Sequence, residues 1–290
     1  MFKETTYLHK FSYFLGLVRE IGGWDFLYRY VVRSFYKITK LNQKMVLFNN
    51  VEMMLPYDSR FGTEIFLKGS KLDWGSEIIL HRFLDINKDF IDVGANIGYY
   101  SLLAAPSSNQ VYAFEPDPRM VEHLKRNLSQ FQNCHVLEEA LFSEPGTMDL
   151  NLNSMPELNS LVRHSPQENK VTVKVNTLDK LMSDYPLLSV SCIKTDAEGA
   201  DFDILMGGKN LLIRDQPLVL SEIYPTKKLL EFIKSIEFTC FAFVKSKDEN
   251  GDNCLPKFIK IETKPTNFRI KMIFLVPNRL LSRFEELKDV

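Results

Sequence analysis

The spacing of apolar positions divides this chain into stretches of different period. Over residues 4–40 it is helical: Leu8, Phe11, Phe14, Leu15 and Val18 mark one stripe, and Trp24, Leu27, Tyr28, Val31 and Phe35 a second, with Gly22-Gly23 as the break between them. Residues 44–48 and 51–55 read as strands around Asn49-Asn50, a dipeptide that tolerates positive φ and suits a two-residue hairpin turn. Residues 76–84 predict a helix with Ser76 as its cap and Ile78, Ile79 and Phe83 on the inner side. From Asp89 onward short apolar runs alternate with amphipathic ones. Strands are expected at 89–93, 110–115, 134–138, 148–152, 171–175, 190–195, 218–223, 238–244 and 270–276. Helices are expected at 99–105, 118–130, 177–183, 200–206 and near 225–235. Such alternation implies an α/β fold built on a doubly wound, mostly parallel sheet. Residues 1–43 form an N-terminal helical extension in this reading, and 44–290 the main domain.

Composition narrows the class. With 290 residues, 45% hydrophobic and 25% charged, the chain can bury a large core in one domain with additions at its ends. A formal net charge of -1 argues against nucleic acid as the main partner, because binding a phosphate backbone needs clustered Lys and Arg. Residues 1–50 are the exception, with eight Lys/Arg against three acids. Basic and aromatic together suit peripheral membrane contact, but packing on the domain or homo-oligomer formation explains the stripes with no new partner, and packing is the expectation. Cys134, Cys192, Cys240 and Cys254 have no C-x-x-C spacing and read as free thiols. No long apolar segment or signal peptide is evident, so the expected location is cytoplasmic. The sequon at Asn127-Leu128-Ser129 falls on an expected helix and is set aside.

Candidate chemistry begins in the stretch from Asp89 to Ser101, which reads as strand, tight turn, helix. Gly94 and Gly98 bracket a turn where the backbone must come close to something, and a cofactor is the expected neighbour. A dinucleotide fold wants G-x-G-x-x-G to seat a pyrophosphate on the helix N-terminus. This turn is G-x-x-x-G and carries Asp92 at the strand end, a carboxylate that repels a pyrophosphate but suits the cationic methionine end of S-adenosylmethionine (SAM). Asp92, Gly94, Ala95, Asn96, Gly98 and Tyr99 are the expected cradle. At the end of the next strand Glu115-Pro116 supplies a carboxylate for the two hydroxyls of an adenosine ribose. Glu139-Ala140, past the third strand, falls where the adenine would lie.

Ligands of open α/β sheets bind outside the carboxyl ends of the strands, so Asp92, Glu115, Asp196 and Glu222 should share one rim. Asp196, Glu198 and Glu222 are the candidate catalytic acids, with Asp196 or Glu198 as a general base. Asp201 and Asp203 read as helix N-terminal acids favoured by the macrodipole. No histidine is better placed. A divalent ion held by Asp196, Glu198 and Glu222 is the alternative to a base. The polar stretch 154–170 could reach over the site, and 245–256, with Asn250-Gly251, reads as a mobile loop.

Four segments in order carry a resemblance: Ile91-Asp92-Val93-Gly94-Ala95-Asn96-Ile97-Gly98-Tyr99-Tyr100, Phe114-Glu115-Pro116, Thr177-Leu178-Asp179, and Ile193-Lys194-Thr195-Asp196-Ala197-Glu198-Gly199-Ala200. Across residues 50–277 the chain resembles the FkbM family of SAM-dependent methyltransferases. The resemblance implies a Rossmann-like methyltransferase fold with a seven-stranded sheet, SAM as cofactor, and O-methylation of a hydroxyl on a small-molecule or glycan acceptor, often a sugar or a polyketide-type natural product. The last motif commonly reads Ile-Asp-Val-Glu-Gly; here Thr195 and Ala197 replace the apolar residues that flank Asp196, and the carboxylates stay in place. An NAD-linked oxidoreductase on a similar sheet and a non-catalytic scaffold at a membrane or subunit interface remain the competing classes.

Overall fold

The structure is a computed structural model that describes residues 18, 21–153, 159–162, 169–185, 189–247 and 255–289. A helix at Gly23–Thr39 leads into the hairpin of β1 (Gln43–Val46) and β2 (Glu52–Leu55), and helices at Arg60–Lys68 and Ser76–Phe83 precede the main sheet. Its centre is β3 (Asp89–Val93), β4 (Val111–Phe114), β9 (Val190–Thr195) and β10 (Leu218–Ser221), buried at every position. Such unbroken burial belongs to parallel strands covered on both faces. β5 (Cys134–Leu137) flanks β4, while β13 (Phe268–Pro277) and β11 (Phe238–Ser246) continue antiparallel beyond β10.

The seven expected strands are therefore present, in the order β11-β13-β10-β9-β3-β4-β5, and an eighth, β12 (Lys257–Ile261), pairs with β11 at the edge. Lys257 and Lys260 obscured it in the sequence, since edge strands carry charge where central ones carry apolar runs. The insertion after β5 forms its own small sheet from β6 (Ala140–Leu141), β7 (Gly146–Leu152) and β8 (Asn169–Asn176). One face of the main sheet packs Leu102, Leu103, Leu124 and Leu128, and the other Ile204, Leu205, Leu229 and Ile233. The helices Arg60–Lys68, Lys209–Asp215 and Leu281–Glu285 were not legible in the apolar pattern.

Several local expectations change. The helix Ser76–Phe83 is capped by Gly75, not by Ser76, whose hydroxyl donates to the Asp73 carbonyl at 2.8 Å. Its inner face is Ile79, Leu80 and Phe83, spaced i, i+1 and i+4, which rotates Ile78 outward. In the N-terminal helix the stripe does not pack on the domain: Trp24, Leu27, Tyr28, Val31 and Phe35 are all exposed, and the opposite face, with Phe26 and Arg33, is buried instead. The first stripe lies outside the described residues apart from Val18, as does residues 248–254 of the polar loop. Asn127 is buried, pairing with the Met54 backbone and the Ile97 carbonyl, so the sequon has no free amide to glycosylate. Cys134, Cys192 and Cys240 are free thiols, and Cys254 lies outside the described residues. Among the described residues no helix is long and apolar enough to cross a membrane.

Candidate active site

The carboxyl ends of the parallel strands build one rim. Glu115, Asp196 and Glu222 are each the first residue after β4, β9 and β10. A cleft opens there, lined by apolar side chains and a few convergent polar groups, as small-molecule sites are. Of the expected residues, Gly94, Ala95, Asn96, Tyr99, Glu115, Pro116, Glu139, Ala140, Asp196 and Glu198 line it.

Glu115 is fixed by its own backbone neighbourhood. Asn96 N donates to Oε2 at 2.8 Å and Asp117 N to Oε1 at 2.9 Å, leaving further acceptor capacity on each oxygen. Burial raises this carboxyl to about 7, against the two backbone donors that favour the anion. Asn96 holds φ +52°, and its buried Oδ1 has no hydrogen-bond partner among the described residues. Glu139 is braced by Lys174 at 2.5 Å, and its Oε1 accepts from Asn176 at 3.4 Å.

Asp92 and Gly98 are not on the cleft wall. Asp92 lies one layer behind it, fully buried, where Oδ2 accepts from Ser101 Oγ at 2.6 Å and Oδ1 is 3.8 Å from the Lys194 ammonium. Burial pushes its carboxyl up, opposed by Lys194 and Ser101. Gly98 opens the helix Tyr99–Ala104 at φ +90° and faces Leu124, where a Cβ would crowd the side chain. Gly94 also differs from expectation. A Cβ there would drive into the Asp196 carbonyl oxygen, so the close approach that requires glycine at φ +73° is between the turn after β3 and the turn after β9.

The group missed in the sequence is Lys194. Register explains its position: on neighbouring parallel strands Lys194 stands opposite Asp92 and next to the turn carrying Asp196. Its ammonium contacts the Gly94 carbonyl at 3.2 Å and Asp196 Oδ2 at 3.4 Å, and lies 5.3 Å from the centre of the Tyr100 ring. The side chain is about one-twentieth exposed. Burial alone would lower its pKa, but Asp196, Asp92, Glu222 and Asp73 outweigh burial and raise it, so the ammonium stays charged. A lone charged residue in a fully buried central strand was the available signal. Tyr100 on the cleft wall donates to Asp73 Oδ2 at 2.6 Å, and Lys271 lies 3.4 Å from Asp73 Oδ1.

At the mouth the three acids converge, with one carboxylate oxygen from each of Asp196, Glu198 and Glu222 lying within 4.8 Å of the others. Loss of hydration and the charge of Asp196 raise the Glu222 carboxyl, although the residue as a whole is exposed. Three carboxylates at this spacing could hold a divalent ion, or share a proton. Asp201 is more than a helix-end acid: it is buried and accepts from Ala197 N at 3.3 Å, which ties down the turn between the two candidate bases. Part of the 154–170 stretch does reach the site. Asn159 and Leu161 line the cleft, and Ser160 Oγ donates to the Glu198 carbonyl at 2.8 Å. Residues 154–158 and 163–168 lie outside the described residues.

A mixed, mostly parallel sheet with a cleft at its strand ends, a G-x-x-x-G turn and an acidic residue after the second strand defines a SAM-dependent methyltransferase of the Rossmann-like class. The chain belongs to the methyltransferase FkbM domain family, which residues 92–275 match. It is 24% identical over 174 residues to the 2-O-methyltransferase NoeI of Sinorhizobium fredii, covering 51% of this chain and 71% of that one. To the hexuronic acid methyltransferase AglP of Haloferax volcanii it is 28% identical over 156 residues, covering 51% of this chain and 64% of that one. A crystal structure of methyltransferase FkbM from Methylobacillus flagellatus aligns with a TM-score of 0.45 at 13% identity, over 73% of this chain and 52% of that one. Family membership replaces the oxidoreductase and scaffold readings.

Proposed function

We propose that the protein methylates a hydroxyl of a sugar, glycan or related natural-product acceptor, with Asp196 or Glu198 as the base. The observation that carries this reading is the convergence of Asp196, Glu198 and Glu222 at the mouth of the cleft. A carboxylate acceptor would need no base and would be repelled by three acids, whereas a hydroxyl must lose its proton as it attacks. One relative is a 2-O-methyltransferase and another acts on hexuronic acid, which supports a sugar-like acceptor.

The residues present fit SAM. Glu115 offers free acceptor capacity for two ribose hydroxyls, the orphaned Asn96 Oδ1 offers an acceptor, and Phe61, Tyr99 and Phe114 give the cleft apolar walls. When bound, SAM supplies an electrophilic methyl group whose transfer is an in-line displacement. The protein aligns the acceptor and excludes water, and Asn159 and Leu161 add to the cleft wall. Asp196 or Glu198 takes the acceptor proton. Lys194 holds Asp196 by its charge, and Asp92 in turn holds Lys194, so Asp92 acts on the site through the lysine. Metal assistance is the second reading, favoured by the same convergence of oxygens.

The test is incubation with methyl-labelled SAM and a panel of neutral and hexuronate-containing glycans, followed by mild alkali. Label that survives alkali is an ether on a hydroxyl; label released is an ester, which would overturn the hydroxyl reading. Activity lost to a chelator and restored by a divalent ion would make the three carboxylates ligands instead of bases.

A further inference from the structure

We propose that the helix Gly23–Thr39 is a docking surface for an anionic lipid bilayer. Its outward face carries Trp24, Leu27, Tyr28, Val31, Phe35 and Ile38 at i, i+3, i+4 spacing, with Trp24 85%, Tyr28 68% and Ile38 81% exposed. An apolar, aromatic stripe of this length left in water marks an interaction site.

The helix cannot turn to bury that stripe, because its other face is pinned. Arg29 Nη1 donates to the carbonyls of Phe66 and Leu67 at 3.2 and 3.1 Å, at the last turn of the helix Arg60–Lys68. Arg33, buried, donates to the carbonyls of Pro56 and Ser59 at 2.6 and 3.2 Å and to Thr63 and Gln43. Phe26 packs on Leu67 beside them.

Charge selects the occupant. Exposed Lys37 and Lys40 flank the end of the stripe and form no ion pair among the described residues, and Asp25 is the only acid on the helix. Of the eight Lys/Arg in residues 1–50, Arg29 and Arg33 are turned inward onto backbone carbonyls and Lys44 pairs with Glu52, so among the described residues Lys37 and Lys40 carry the exposed positive charge, while the remaining 240 residues hold 28 Lys/Arg against 34 acids. A second copy would present the same basic face to itself and an acidic body elsewhere. An anionic bilayer attracts the basic face and repels the body, which orients the protein, and Trp and Tyr are the side chains that favour the headgroup boundary. The helix lies on the surface, since it is not long and apolar enough to span. The underlying helix Arg60–Lys68 also contributes Phe61 to the cleft wall, so one helix separates the bilayer from the active site. This placement suits acceptors carried on lipid headgroups, a consequence that rests on the function proposed above; the docking itself does not.

The experiment is sedimentation of the full chain with vesicles of phosphatidylcholine, with and without about one-third phosphatidylglycerol. Binding is expected to the anionic vesicles alone, and to fall strongly at about 1 M salt, where screening is nearly complete. Lys37→Glu with Lys40→Glu should lower the partition at least about 25-fold, on roughly fivefold per lysine. Val31→Asp with Phe35→Asp should abolish it. All four positions are exposed, and unchanged SAM affinity and thermal melting in both variants would exclude misfolding. Wild-type binding that is absent, indifferent to lipid charge, or unaltered in both variants would overturn the proposal. So would a solution dimer that Val31→Asp converts to monomer, because the stripe would then be occupied by a second copy.

Discussion

Replacing Asp196 by asparagine keeps the shape of the turn and removes a charge and a proton acceptor. Two effects then have to be separated. The carboxylate sits 3.4 Å from the Lys194 ammonium, where unit charges attract by about 5 kcal/mol at an effective dielectric of about 20. The Asp196 side chain is 30% exposed, and solvent screening with the loss of side-chain freedom reduces the net effect on stability to about 1 kcal/mol. Lys194 also keeps Asp92 and the Gly94 carbonyl as partners. If Asp196 is the base, turnover should fall by about 10²–10⁴, equal to roughly 3–5 kcal/mol of barrier, which exceeds the stability effect severalfold. SAM affinity by calorimetry should stay near wild type, because the proposed cofactor contacts follow β3, β4 and β5 and not β9. The matching measurement is Glu198→Gln, which separates the two candidates. Asp203→Asn is the control; Asp201 is unsuitable, because it holds the Ala197 backbone in the turn. Turnover within a few-fold of wild type in both amide variants, with an identified acceptor, would refute a carboxylate base at this turn.

Glu115 predicts a pH dependence. Its folded value of about 7 lies above the ordinary carboxylate range, so between the two the folded protein holds a proton that the unfolded chain has released. Stability should therefore fall as pH rises through that window, while SAM affinity should rise, by up to about tenfold per pH unit below 7, because the anion accepts the ribose hydroxyls. Glu115→Gln should flatten that dependence, and an unchanged slope in calorimetric titration would remove the ribose assignment. Gly94→Ala should destabilise by more than about 2 kcal/mol, through backbone strain at φ +73° and collision with the Asp196 carbonyl. Gly75→Ala, at φ +97° with open space around it, should show the strain alone, and equal losses of denaturation midpoint would count against the contact. Lys194→Met should lose about 3–5 kcal/mol by leaving Asp92 buried without its counter-charge, and adding Asp92→Asn should recover about 1–3 kcal/mol of it. Strictly additive losses in that double-mutant cycle would mean the pair is not coupled.

What the sequence determined by itself was local. Mainly apolar runs such as Phe90 to Val93 and Val190 to Ile193 specify strands buried on both faces, with Asp92 and Ser191 as their single polar positions. The Gly94–Gly98 turn and the acids after the strands follow, because in a parallel sheet every strand delivers its next residue to the same rim. Hence Asp92, Glu115, Asp196 and Glu222 were expected on one rim before any coordinate, and of these Asp92 lies one layer behind the cleft. Tertiary structure decided what depends on register and on rotation of a helix about its axis. Asp92 and Lys194 are 102 positions apart and meet only because β3 and β9 pair in one register, which turns an expected ligand into a brace for a buried lysine. Gly94 showed that a close approach was required, but its neighbour, the Asp196 carbonyl, comes from a turn that no local pattern connects to it. The N-terminal stripe shows the same limit. Periodicity defines an apolar face on Gly23–Thr39, yet the hydrogen bonds of Arg29 and Arg33 to backbone carbonyls, reached only in the folded chain, decide that this face points outward.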